Sequence, residues 1–312
     1  MKRIASRLLQ AVLVMLGVTT VMFALLRAVP GDPAAVIAGP AATPAVLAAV
    51  RAQYHLNQPL VYQYGHWISS LLSGNLGTSL TYQEPVVTLI RQALGPTLQL
   101  VIVSMVIGVS LGVLLGVFAA THLRKAPDLI VSGFSSGVLG MPSFWMGLLL
   151  LLVFSVDLHW VPSGGSVSIL SSPVEGLKTV ALPAITLGLG VAAVQARFVR
   201  TAMVEALSGD YVRTARAKGA SERAVVWKHA LRNALLPLIT ITGIQVGILL
   251  GGVVVIEDVF ARPGLGSVIA TAIANRDYPV VEGTTVVLVA AFSAVNLVVD
   301  IAYQFIDPRI RR

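Results

Sequence analysis

Eight of the 22 lysines and arginines fall in one stretch, from Arg197 to Pro237: Arg197, Arg200, Arg213, Arg216, Lys218, Arg223, Lys228 and Arg232. The chemistry open to such a run is electrostatic, the attraction of an acidic partner or of anionic headgroups. Groups that could do bond-making chemistry are absent or scattered. There is no cysteine, which excludes disulfides, thiolate catalysis and cysteine metal sites. The five histidines, His55, His66, His122, His159 and His229, show no metal-ligand spacing such as HxxxH. No GxxxxGK[ST] phosphate loop occurs, so the chain is not expected to bind and hydrolyse ATP itself. No catalytic residue and no metal ligand is expected, and the chain does not read as an enzyme.

Ionisable groups at membrane depth are costly and usually purposeful. Asp300 is the clearest, with Asn296 one helical turn before it on the same face. Two readings stay open: a gate or pathway contact, or a polar clamp between helices near the hydrated inner surface. Glu257 and Asp258 are expected at the outer boundary, where they could shape an outer gate.

The elements that must hold these residues are apolar helices. The chain has 312 residues, 56% hydrophobic and 12% charged, with mean hydropathy +0.84. Average soluble chains carry about 25% charged residues, and a single soluble core could not absorb this apolar surface. Six spans follow from apolar run length: about Leu8–Leu26, Leu98–Ala120, Leu129–Val156, Val180–Val199, Leu235–Ile256 and Val280–Ile306. Met141-Pro142 interrupts the third and should kink it. Lys2, Arg3 and Arg7 ahead of the first run resemble a signal peptide. The run is longer than a typical signal core and no A-x-A site follows it, so an uncleaved span is expected.

The net charge of +8 does not call for nucleic acid, because basic loops on the cytoplasmic side produce the same excess. With both termini inside, the inner segments hold 16 of the 22 basic residues. The segment 28–96 then lies outside. Val46, Leu47, Val50 and Tyr54 fall at helical spacing there, and Asn57-Gln58-Pro59 stops the pattern. The expected organisation is a first span over 1–27, an extracytoplasmic helical subdomain over 28–96 and a core over 97–312 with a cytoplasmic loop at about 200–234. Gly108, Gly112 and Gly116 line one face of the second span, and Gly243, Gly247 and Gly251 one face of the fifth. Such faces let another backbone approach, either within the chain or at a sliding or dimer interface.

Within the cytoplasmic loop, Asp210 to Lys218 reads as a helix stopped by Gly219 in a left-handed conformation. Ser221 can cap a new helix from Glu222. The sequence here, TARAKG followed by HALRNALLP, resembles the EAA motif in the permease subunits of bacterial ABC importers. Aligned on Gly219, Arg213 stands where Glu is usual, followed by Thr214 and Ala215. Nine residues separate Gly219 from His229-Ala230-Leu231-Arg232, which replaces I-x-L-P. The departures at Arg213, His229 and Arg232 match the dipeptide, oligopeptide and nickel branch. Further matches run along the chain: Pro30-Gly31-Asp32-Pro33, Gly74 to Ser79, Pro96 to Leu100, Glu257 to Phe260, Pro263 to Gly266, Arg276 to Pro279, Asn296 to Asp300 and Asp307-Pro308-Arg309.

The resemblance implies an all-α integral membrane protein with six transmembrane helices and the type I ABC importer permease fold. It would form half of a pathway for peptides across the bacterial cytoplasmic membrane, with nickel or glutathione as alternative cargo. The implied partners are a second homologous permease, two ATP-binding subunits that carry ATP and Mg, an extracytoplasmic substrate-binding protein and membrane lipid. Tyr211, Arg213, Thr214, Ala215, Lys218, Gly219 and Ser221 would couple to an ATPase subunit. No cofactor is implied in this chain. A secondary transporter, the alternative of a different class, predicts an inverted repeat and broken helices with midplane ion-binding groups. An intramembrane enzyme needs an acid–base or metal constellation that the scattered histidines do not supply.

Overall fold

The computed structural model describes residues 2–28, 31–39 and 42–306. Among these there is no strand, and Thr78 and Pro85 form an isolated antiparallel bridge. Thirteen helices follow in order: α1 Lys2–Ala28, α2 Pro33–Ala38, α3 Pro44–Gln53, α4 Leu60–Leu72, α5 Val86–Thr121, α6 Ala126–Gly140, α7 Ser143–Leu151, α8 Pro173–Ser208, α9 Asp210–Ala217, α10 Glu222–Ala224, α11 Leu231–Val259, α12 Leu265–Ala274 and α13 Tyr278–Ile306. Two π-helical segments, Leu152–Asp157 and Val225–Ala230, extend α7 and lead into α11.

Among the described residues five helices are long and apolar enough to cross a membrane, and six crossings result if α6 and α7 count as one. The Met141-Pro142 break bends that pair by 101°. This is more than the expected kink. Pro142 offers no N–H and precedes α7 with extended ψ, so the helix stops and restarts. The second and fourth spans also outrun their apolar cores, since α5 and α8 have 36 residues each.

The chain divides into two compact units. The first comprises Met1–Leu94 and Val268–Ser293. Its short helices start on local caps: Asp32 accepts from the Ala34 N–H ahead of α2, and Thr43 from that of Val46 ahead of α3. Arg51 bridges to Asp32 at 2.6 Å and holds its carboxyl below the usual carboxylate range. The apolar positions of α3 are less enclosed than the pattern suggests, and none of its described residues is buried. The Phe23 ring instead meets Tyr64 and Trp67 of α4. The turn at Pro30-Gly31-Asp32-Pro33 lies partly outside the described residues.

The second unit comprises Gly95–Ser267 and Ala294–Arg312. Its centre is α8, packed on α6, α7 and α11. Leu100, Val180, Leu187, Val253, Ile256 and Phe260 form one core cluster. Val117, Val199, Met203, Ala230 and Leu238 belong to another. The stripe on α5 is an intramolecular contact. A Cβ at Gly108, Gly112 or Gly116 would come within 2.8–2.9 Å of the carbonyls of Gly188, Ala192 and Ala196 on α8. On α11, Gly251 faces open space.

Candidate coupling loop and the clamp at Glu257

The loop after α8 is built by local signals. Gly209 precedes α9, and a Cβ there would meet the Tyr211 ring at 2.6 Å. Asp210 in the first turn and Arg216 in the last complement the helix dipole. At the C-terminus, the Gly219 N–H donates to Arg216 O at 2.9 Å and the Ala220 N–H to Ala215 O at 3.1 Å. That pair of bonds is a Schellman motif, which requires a left-handed residue. Gly219 provides it with φ +82°. Ser221 then caps the next turn, its Oγ accepting from the Ala224 N–H. Across the turn, Arg216 donates to both oxygens of Glu222 at 2.8 and 3.1 Å.

The α9 helix has one buried anchor, Val212, at 0% exposure. It packs against α8 and the π-helical segment Val225–Ala230, whose Val225 and Ala230 are also fully buried. The rest of the helix turns outward. Tyr211, Arg213, Thr214, Lys218, Gly219 and Ser221 are exposed, and Ala215 is half-buried. Arg213 lies 3.6 Å from Asp210, both well exposed. A rigid, cation-bearing rod is thus held by a single apolar pin and a stapled turn.

Glu257 and Asp258 are neighbours with opposite surroundings. Asp258 is exposed, whereas Glu257 is fully buried. Thr97 Oγ1 donates to Glu257 Oε1 at 2.6 Å. The Gly266 and Ser267 N–H groups donate to Oε2 at 2.7 and 3.2 Å. The carboxylate therefore caps the first turn of α12. The Leu265 N–H donates in turn to Thr97 Oγ1 at 2.8 Å. Arg262, also fully buried, reaches the carbonyls of Pro96, Gly165 and Thr179 at 3.3–3.5 Å. Gly264 is required here, because a Cβ would overlap the Glu257 carboxylate. Both carboxylate oxygens of Glu257 are engaged, tying the end of α11 to Thr97 of α5 and to the first turn of α12.

Asn296 is half-buried on α13. The side chain of Asp300 and the Asp307-Pro308-Arg309 motif lie outside the described residues. Among the described residues no group of three or more His, Cys, Asp or Glu side chains could hold a metal ion.

Two polar pairs and one buried arginine escaped the sequence reading. Arg200 grips Asp128 with two bonds. Ser79 Oγ donates to Asp277 at 2.5 Å. Arg262 anchors three carbonyls. Asp128, just after Pro127 at the start of an apolar run, carried a helix-start signal, but nothing local named its partner.

Residues 112–312 match the family described as binding-protein-dependent transport system inner membrane component. Residues 1–83 match the N-terminal region of such membrane components. The chain belongs to this family of ABC importer permeases.

Relatives of the permease match it end to end. It is 42% identical over 308 residues to the glutathione transport system permease protein GsiC of Salmonella typhimurium, covering 99% of this chain and 98% of the relative. The same identity and coverage relate it to the Sinorhizobium fredii protein named "Probable peptide ABC transporter permease protein y4tP". Among solved structures, the inward-facing MetNI methionine ABC transporter aligns with TM-score 0.59 at 21% identity, over 71% of this chain and 97% of that one. That likeness concerns the fold. The permease is thus a multi-pass inner membrane component of a binding-protein-dependent transport system.

Proposed function

We propose that the permease forms half of a pathway for short peptides across the bacterial cytoplasmic membrane, driven by ATP hydrolysed in separate subunits. Identity of 42% over 99% of the chain to permeases named for glutathione and for peptide carries this reading. Glutathione, itself a tripeptide, is the second cargo favoured by those names. A second homologous permease would complete the pathway, two Mg-ATP-binding subunits would sit on the cytoplasmic side, and a substrate-binding protein would deliver cargo from outside.

Both termini face the cytoplasm in this proposal, since that orientation places 16 of 22 basic residues inside. The first span, 1–27, would cross the membrane, the subdomain 28–96 would lie on the outer side, and 97–312 would supply the pathway and its drive. The α9 helix is the proposed lever into an ATPase subunit. Tyr211, Arg213, Thr214 and Lys218 supply its outward face, Ala215 its half-buried flank, and Gly219 and Ser221 its turn. Glu257 acts as a clamp, because its oxygens are already bonded within the chain. Asp258, exposed beside it, stays a gate candidate, and Asn296 and Asp300 on α13 stay candidates for a gate or a helix clamp.

The test is reconstitution of the permease with its sister permease, ATPase subunits and binding protein. Peptide-loaded binding protein should stimulate ATP hydrolysis and uptake, and glutathione should compete if it is carried. A permease that transports peptide with no ATPase subunit present would overturn the proposal in favour of a secondary transporter.

A further inference from the structure

The first unit carries an open cavity of about 220 Å³ that the transport reading leaves unused. It exceeds the ~150 Å³ of an engineered cavity that admits benzene. Glu282 of α13 and Arg27 of α1 both line it, with Tyr54 and Trp67 among the aromatic walls.

Glu282 is 8% exposed. It makes no hydrogen bond or ion pair with any described residue, and the charge acting on it is that of Arg27. A nearly buried carboxylate with no protein donor among the described residues, open onto this cavity, is a receptive partner for a cation. Arg27 is the converse, a cation fixed in place with its fork left open. Its Nε donates to Gln63 Oε1 at 3.1 Å. Its guanidinium sits 4.8 Å from the Phe23 ring centroid. Gln63 is itself locked, its amide donating to the carbonyls of Leu56 and Gln58. The two terminal nitrogens of Arg27 have no hydrogen-bond partner among the described residues, and such a planar fork suits an anionic oxygen pair.

We infer that this cavity binds a small zwitterion, its ammonium on Glu282 and its anionic oxygens on the Arg27 fork. The geometry favours an amino acid or dipeptide: the two charges face a shared volume, and aromatic walls offer space for a side chain. A phosphatidylethanolamine headgroup carries the same pair of charges and is the other source. This inference does not depend on which cargo the permease moves.

The test is calorimetric titration of the full-length permease in phosphatidylglycerol nanodiscs with glycine, alanine and dialanine. Acetate and methylamine, each with one of the two charges, are the controls. At least one zwitterion should bind and neither control should. Glu282→Gln keeps the side-chain shape and should weaken binding at least about tenfold, the scale of a lost charge-assisted hydrogen bond. Arg27→Lys keeps the charge but removes the fork, and should also weaken binding while leaving thermal stability near wild type. Repeating the titration in nanodiscs with phosphatidylethanolamine separates the sources. Suppressed binding assigns the site to the headgroup, and unchanged binding assigns it to a free amino acid or peptide. No zwitterion binding to wild type in phosphatidylglycerol up to about ten millimolar, the weak end of specific affinity, overturns the inference. So does wild-type affinity in Glu282→Gln.

Discussion

Arg200 meets Asp128 with two nitrogens, at 2.5 and 2.8 Å from its two carboxylate oxygens. The Arg124 N–H donates to the same carboxylate at 2.9 Å. Asp128 is 3% exposed, so the start of α6 is fixed to α8 by a charge that water scarcely reaches.

Asp128→Asn should therefore lower the thermal stability of the purified permease. Breaking a buried pair costs about 3–5 kcal/mol. Because the Arg200 side chain is 32% exposed, the loss should fall at or below the lower end of that range. Thermal unfolding in detergent of both single variants and the double variant Asp128→Asn/Arg200→Gln gives the coupling. Additive effects would show that the pair does not hold the helices together.

Gly219→Val should uncouple transport from ATP hydrolysis while leaving membrane insertion intact. A Cβ at Gly219 meets nothing within 4 Å, so the penalty comes from φ alone, about 1–3 kcal/mol for a β-branched residue. Gly219→Asn, which tolerates the left-handed region, should retain more activity. Substrate-stimulated ATPase activity of the reconstituted complex is the readout. Wild-type stimulation in Gly219→Val would remove this turn from the coupling path.

The Arg216–Glu222 staple gives the same turn a pH dependence. Hydrogen bonding to Arg216 holds the Glu222 carboxyl below its usual range. Its contribution is therefore complete above the unfolded Glu value of about 4.3 and is lost as pH falls through the lower folded value. No change is expected around pH 7. Amide protection at Lys218 to Ala220, taken relative to the intrinsic exchange rate at each pH, should fall only under acid, or at neutral pH in Glu222→Gln. The pair is solvent-exposed, so the effect should be small and reduced by salt. Equal protection in Glu222→Gln would show that the Schellman bonds suffice alone.

Gly264→Ala should destabilise the loop after α11, since the added methyl would overlap the Glu257 carboxylate. Overpacking of this kind costs about 1–3 kcal/mol. Asp258→Asn, one residue along and exposed, should leave unfolding unchanged. Equal melting temperatures for Gly264→Ala and wild type would mean that Glu257 can leave its donors at little cost.

Topology can be read directly, because the chain has no cysteine. Ser6, Ser73 and Ser221 are all exposed, so a cysteine at each should react with a thiol reagent that reaches it. An impermeant reagent applied to intact cells should label Ser73→Cys and spare Ser6→Cys and Ser221→Cys. Labelling of Ser221→Cys would invert the proposed orientation.

What was legible in the sequence is what is decided locally. Gly219 and Ser221 end and start helices through bonds to residues within five positions, so residue type and order predict them. Apolar run length located the spans, but not their ends. It measures the hydrocarbon crossing, while α5 and α8 continue beyond it. The Met141-Pro142 break was visible, yet its 101° angle was not, because a missing N–H says that a helix yields without saying by how much. Long-range polar pairs were illegible for a different reason. Thr97 and Glu257 are 160 positions apart, and Ser79 and Asp277 are 198 apart. Each residue is an ordinary polar group until the fold brings its partner.

The break between α6 and α7 also bears on how the permease enters the bilayer. Each arm has 15 residues, about 22 Å of helix at 1.5 Å per residue. The hydrocarbon layer is about 30 Å thick. Neither arm crosses it alone, and Gly140 and Pro142 at the corner are exposed. Lipid cannot satisfy the open backbone groups of such a corner, which is stable only against protein or water. This segment therefore cannot leave the insertion machinery as a finished, lipid-surrounded helix. Its release must wait for a covering neighbour, which makes biogenesis of the permease depend on the order in which its helices and partners arrive.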